Sequence, residues 1–381
     1  MLEALQGSAP DAKMVFHTFY DGRLSTVDPL PAGDWTLRWN IRPRTIVRAG
    51  GSMTAADDTG SLAPWGLADS LSAAGSMVSA VFHCGGESLD LARATVTANR
   101  PDEQWMRAAG RWVFGGASIG VTFSELSQLV QDDEFIAAES PPSGATVISE
   151  IRRLLQGHCG VIVADGVVDR PLPPLVHAEN RLEAVYALVD MVGDARFTGD
   201  GQLYVYVPGN VPVFTVQGKP MGDLVQVSRE QSRDKFYNVV VSTGRDADGN
   251  ELKAYARITS GVLRDGGPFK RRVYRHNAIA ATQSGVQADA DTILANLLRD
   301  STVEIPFECV PSALIGAEAG DYGQVMFPAV DGEEYPLRGR LLEVELSGGA
   351  AGFNPGRGVL AASSADIERV GALLAGVRRN P

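Results

Sequence analysis

The chain has 381 residues, 44% of them hydrophobic and 21% charged, with a net charge of −12 at neutral pH. That balance excludes a disordered polymer, and the length exceeds one ordinary core, so two to four domains are expected. The acidic excess also opposes binding to nucleic-acid phosphates, which requires clustered Lys and Arg.

From the N-terminus, Trp35, Leu37, Trp39 and Ile41 alternate with Thr36, Arg38, Asn40 and Arg42, the period of a half-buried strand. Met77 to His83, Ala94 to Ala98 and Arg111 to Phe123 are further strand-forming runs, and Ser124 to Gln131 is predicted as a short helix. Short strands at this spacing predict a sandwich or barrel over residues 1–142.

The texture changes at Ser140-Pro141-Pro142-Ser143-Gly144. Val147, Ile148, Ile151, Leu154 and Leu155 share one helical face, and Gly157 supplies the stop. A short strand is predicted over Gly160 to Ala164. A second helix opens at Asn180, with Glu183 placed for a capping box and Leu182, Val185, Tyr186, Val189 and Val192 as its apolar face. Arg196-Phe197, the turn Gly199-Asp200-Gly201 and Gln202 to Val207 then read as a hairpin, completing a small α/β module over 143–222.

Residues 223–347 read as a second β domain. Tyr237 to Thr243 and Leu252 to Thr259 flank the turn Asp246 to Asn250, and one helix is predicted over Val286 to Arg299. Strands resume at Val303 to Val310, Gln324 to Phe327 and Leu337 to Leu346. In the last segment, 348–381, glycines between Gly348 and Gly358 predict a linker. It leads to an amphipathic stretch of Ile367, Val370, Leu373, Leu374 and Val377 that docks on a neighbour or on its own chain. The expected fold class is therefore α+β, mainly β: two barrel- or sandwich-like β domains separated by a small α/β module.

Chemistry-bearing patterns are scarce. His17, His83, His158, His177 and His276 are never within four residues of one another, and no HExxH, GxSxG or Walker loop occurs. His83 and Cys84 fall on opposite faces of one strand, so the thiol cannot be activated by its neighbour. Cys84, Cys159 and Cys309 form no CxxC pair and are expected to be buried thiols. The Asp246-Asp248-Gly249 turn departs from a calcium loop, with glycine at the fourth position and Arg257 at the twelfth. Asp132-Asp133-Glu134 reads as exposed acidic surface. Lys270 to His276 reads as a charged edge strand, or as a contact to an acidic neighbour. No catalytic, cofactor-binding or metal-ligating residue is assigned. No run of about 18 apolar residues is present, and Met1 to Gln6 lacks the marks of a signal peptide, so synthesis and folding in a cytoplasm are expected.

The order of these pieces resembles minor tail proteins of tailed phages infecting actinobacteria, and through them baseplate and tail-tip hub proteins. Trp35 to Ile41 with Arg42-Pro43-Arg44, the segment Leu62-Ala63-Pro64-Trp65-Gly66 with Leu71 and Gly75, and Val121 to Phe135 carry the early part of the likeness. Asn180 to Val192 followed by Arg196-Phe197 and Asp200 to Leu203, Phe236 to Gly244, and Ala319-Gly320-Asp321-Tyr322-Gly323 carry the rest. The resemblance covers about residues 15 to 346 and implies a non-enzymatic virion component with no cofactor.

What it implies further is a homotrimeric ring at the tail tip, assembled in the host cytoplasm. The two β domains of each subunit would alternate around its axis. Distal tail protein, tape measure protein and other tail-tip proteins are the implied partners, with DNA only in transit through the lumen and no membrane insertion by this chain. The competing readings are a β-sandwich tail-tip protein that binds host-surface saccharide, with Trp105 or Trp112 as platforms, and a cell-wall hydrolase. Some hub relatives carry a hydrolase after the hub, and none is expected here.

Overall fold

A computed structural model describes residues 12–20, 23–24, 29–41, 47–172, 175–178, 180–218, 224–228, 236–245, 250–261, 263–278, 282–300, 303–328 and 334–362. The chain is mainly β, with several sheets, few helices and, among the described residues, no closed barrel. It forms two compact units, one of residues 1–226, 307–326 and 340–359, the other of 227–306, 327–339 and 360–381.

The first unit is built on neighbouring antiparallel strands in the order Glu334–Gly349 (through its 340–349 part), Ala32–Asn40, Ala49–Asp57, Arg111–Glu125, Glu87–Ala108, Ser76–Cys84, Lys13–Tyr20 and Arg23–Leu24. Alternation puts every second side chain on one face, and there Phe16, Leu37, Met53, Phe82, Ile119 and Phe123 are almost wholly buried. Phe16 lies 6.1 Å from Trp35 and 6.3 Å from Phe123, and Phe353 packs edge-on to Trp35 and Phe82 at 5.4 and 5.6 Å. Each such side chain contributes roughly 1.5–3 kcal/mol by leaving water.

The α/β module lies within this unit and has its own core. Helices Val147–Leu154 and Arg181–Val189 bury Ile151, Leu154, Leu182 and Val185 against Ala195, Phe197, Leu203 and Val205. Strand Leu203–Tyr206 is central, antiparallel to Asp194–Phe197 and parallel to Val161–Val163. The Asn180 side chain accepts the Glu183 amide at 3.0 Å, half of the anticipated box. The reciprocal box forms instead at Thr146 and Ser149, where each side chain accepts the other's amide, at 3.3 and 2.8 Å. Serine in place of Glu or Gln hid this box from the sequence pattern. Thr146→Ala is expected to cost about 1 kcal/mol in urea unfolding, the usual loss for a removed cap.

In the second unit, strand Val239–Arg245 lies between Glu251–Arg257, antiparallel, and Val273–Asn277, parallel. Helix Gln283–Asp300 covers the sheet, with Val286, Ala290 and Leu294 on Val240, Ala254 and Ala256. Val273–Asn277 is an outer strand of this sheet, as the second half of the charged run predicts, while Lys270 to Arg272 precede the strand. Arg271 is held by Asp265 of its own chain at 2.7 and 3.0 Å, so it is not free for a neighbour.

Two expectations change. The short helix spans only Ser127–Asp132, because strand Arg111–Glu125 runs on to Glu125. The 348–358 segment is not a linker: Glu334–Gly349, Gly352–Phe353 and Gly356–Ala362 are strands, and the first two pair antiparallel. The Asp246–Asp248–Gly249 turn and the amphipathic stretch from Ile367 to Val377 lie outside the described residues.

Candidate functional site

Each histidine stands apart from the others. His83 is half-buried and Cys84 buried on alternate faces of Ser76–Cys84. His158 Nε2 meets Asp133 at 2.9 Å, His177 Nε2 meets buried Glu150 at 2.9 Å, and His276 lies 3.7 Å from Asp289. Burial pushes Glu150 up, but the Arg153 guanidinium and His177 outweigh it and hold the carboxyl below its ordinary range. Arg153 also binds Glu139 at 2.9 Å, so this cluster braces helix Val147–Leu154. Cys84 and Cys309 are buried; Cys159 is half-buried, and burial raises its pKa. Among the described residues no three His, Cys, Asp or Glu side chains gather as a metal site would need.

What the first unit does gather is an ionic junction. Asp194, at the start of the module's strand, receives Arg48 at 3.4 Å and Arg340 on its other oxygen. Arg48 donates further to the Ala195 carbonyl at 2.8 Å and lies 4.3 Å over the Tyr186 ring. Arg196 is paired with Asp321 and, at 2.6 Å, with Glu318, and it sits over the stacked rings of Tyr204 and Tyr206. Burial raises Asp194, yet the charges of Arg340 and Arg48 and the Ala195 amide prevail and hold it low. Glu125, which accepts the Arg48 amide at 2.7 Å and the Ser127 hydroxyl at 2.6 Å, is pushed up because burial prevails there. Arg196 and Asp321 come from two of the patterns that carried the family resemblance, and they meet here across 125 positions of chain. The junction fastens the module to the sheet.

Beyond the sheet, strands Glu87–Ala108 and Arg111–Glu125 continue as a two-stranded finger over 104–116. Ala109 at φ 50° and Gly110 at φ 78° form its turn, as a two-residue hairpin loop requires. Trp105 and Trp112 are 49% and 68% exposed. Trp105 packs edge-on against Phe114 at 5.3 Å. Trp65, 82% exposed, crowns the neighbouring loop, whose Gly60 lies against Phe114. A shallow polar trough of 560 Å³ crosses the sheet, where Ser347, Thr36, Ser52 and Thr122 stand side by side. Trp105 and Trp112 do not line it; its tryptophan is Trp35, which is almost wholly buried.

No protein-family model matches the chain, and no curated protein does at the sequence level. Solved structures do match it. The 43 kDa tail protein of prophage MuSo2 from Shewanella oneidensis aligns over 91% of this chain and 98% of its own, with TM-score 0.60 and 12% identity. A tail protein from Neisseria meningitidis MC58 aligns over 91% and 96%, with TM-score 0.56 and 12% identity. A chain of the Francisella PdpA–VgrG complex aligns over 94% of this chain and 59% of its own, with TM-score 0.52 and 7% identity. At these identities the shared property is the fold.

Proposed function

We propose that this chain is a structural subunit of a phage tail tip: a hub whose three copies form a ring that joins the tail tube to the tip and lets DNA pass. The observation that carries this reading is the fold likeness to phage tail proteins along almost the whole of both chains, 91% against 98% and 91% against 96%. A match of that extent is more than one common motif.

The remaining features agree with the role. The ionic junction spends half-buried charges on fixing the module to the sheet, which suits a rigid ring subunit. A net charge of −12 suits a lumen past which DNA slides without adhering. The partners of such a subunit are distal tail protein, tape measure protein and the remaining tail-tip proteins, and its place is the virion, after assembly in the host cytoplasm. No catalytic step is assigned to it.

Immunogold labelling of purified virions with antibody to this chain tests the place, and image averaging of the tip tests the stoichiometry. Label confined to the distal tail with threefold density is expected. Label on the capsid, or a single off-axis copy, would overturn the hub.

A further inference from the structure

The finger over 104–116 carries exposed apolar side chains on both faces. Cross-strand register puts Trp105, Arg107, Trp112 and Phe114 on one face and Met106 with Val113 on the other. Trp105, Met106, Trp112 and Val113 are 49%, 60%, 68% and 45% exposed. A hairpin that belongs to its own core has one covered face; here, among the described residues, neither face is covered.

Lipid is a poor candidate. Glu87–Ala108 pairs with Ser76–Cys84 only as far as Thr95, and Arg111–Glu125 pairs with Ala49–Asp57 only from Ala117. Both outer edges of the finger therefore carry unpaired backbone groups, which hydrocarbon cannot satisfy and a protein surface can.

The finger's tip is basic: Arg107 and Arg111, on either side of the turn, make no ion pair among the described residues, whereas Arg100 is paired with Asp102 at 3.5 Å. The same unit presents a matching patch. Ile136 is 105% exposed and Leu129 37%, beside exposed Asp132, Asp133 and Glu134. Phe135 anchors this patch, stacked 5.8 Å from His177 and capped by Arg181 at 4.5 Å. Asp133 is engaged by Arg181 at 3.0 Å and His158 at 2.9 Å. Among the described residues, Asp132 receives only neutral Gln128, at 2.7 Å, and neither it nor Glu134 has an ion pair. An aromatic, basic finger and an apolar, acidic patch are complementary, and both stay exposed within a single chain. A second copy can join them.

We propose that the finger of one copy docks on the 129–136 patch of the next, with Arg107 and Arg111 facing Asp132 and Glu134. Such a head-to-tail contact closes into a ring when the rotation allows. The proposal deepens the hub reading and rests on it for the number of copies.

The test is sedimentation velocity of the full chain and three variants. Arg107→Glu with Arg111→Glu, and Asp132→Lys with Glu134→Lys, are each expected to weaken self-association roughly 100-fold while leaving the circular dichroism unchanged. The fourfold variant, carrying all four reversals, is expected to recover association to within about tenfold of the unmodified chain, since its charges are again opposite. Association unchanged by either pair of reversals, or no rescue in the fourfold variant, would overturn the docking while the hub reading stands. An unmodified chain that stays monomeric at its highest soluble concentration would overturn the docking too, and the threefold density at the tip would then decide the hub separately. Flotation with phosphatidylglycerol vesicles, lost on Trp105→Ser with Trp112→Ser, would assign the finger to lipid and also overturn it.

Discussion

Asp194→Ala is expected to cost the first unit about 2–3 kcal/mol in urea unfolding, between the loss for an exposed ion pair and that for a fully buried one, because all three side chains are half-buried. The carboxylate is the shared partner of Arg48 and Arg340. Without it, Arg48 keeps the Ala195 carbonyl and the Tyr186 ring, and Arg340 keeps the Gly320 carbonyl at 3.1 Å, but both lose the counter-charge they share. Arg340→Ala on top of Asp194→Ala should then cost far less than Arg340→Ala alone, because two groups that share one interaction are not additive. Equal costs in both backgrounds would show that the junction is a set of independent surface pairs, each worth at most about 1 kcal/mol.

Local signals in the sequence located most elements and none of their meetings. Trp35 and Leu37 are buried while Arg38 is exposed, as period-2 alternation predicts, and Asn180 caps its helix as its side chain predicts. Strand Glu87–Ala108 was legible only to Ala98, because Asn99, Pro101 and Asp102 look like a turn. Past Thr95, however, that strand has one neighbour instead of two, and a proline is tolerated on such an edge.

The glycines from Gly348 to Gly358 misled for a different reason. A Cβ at Gly348 would come within 2.8 Å of the Trp35 ring, and one at Gly358 would overlap the Phe307 ring. These glycines make room for aromatic packing between strands, and composition cannot distinguish that from a flexible linker. The junction was illegible because a contact such as Arg196 with Asp321 spans 125 positions and has no local signature. The finger's tryptophans were visible as residues, but whether an aromatic side chain stands in a groove or on a projection depends on where the sheet ends.

The first half of the loop beside the finger is held by one carboxylate. Asp57 is 2% exposed; its Oδ1 accepts the amides of Thr59, Gly60 and Ser61 at 3.1, 2.8 and 3.1 Å and the Thr59 hydroxyl at 3.2 Å. Its Oδ2 accepts the amides of Leu62 and Ala63 at 2.8 and 3.0 Å. Asp57→Ala orphans all of these donors, and a loss of about 3–5 kcal/mol is expected by urea titration, with hydrogen exchange accelerated at residues 59–63. Asp57→Asn keeps one accepting oxygen and turns an NH₂ toward the other set of amides, so it should lose more than half as much.

The pH dependence fixes the sign. Burial pushes the Asp57 carboxyl up, but the amides of Leu62, Ala63, Thr59 and Gly60 outweigh it and hold the carboxyl below its ordinary value. A carboxyl depressed on folding stabilises fully above its unfolded pKa of about 3.9, and that contribution is lost as pH falls through the lower, folded value. The stability gap between the unmodified chain and Asp57→Asn should therefore be constant from neutral pH down to about 5 and close only below about 4. Because Asp69 separately holds the Trp65 and Gly66 amides at 2.9 and 2.6 Å, the loop has two carboxylate clamps in series. Loss of the first should loosen residues 59–63 while the second still holds Trp65 in its turn, and hydrogen exchange that rises equally at both would mean the loop opens as one piece.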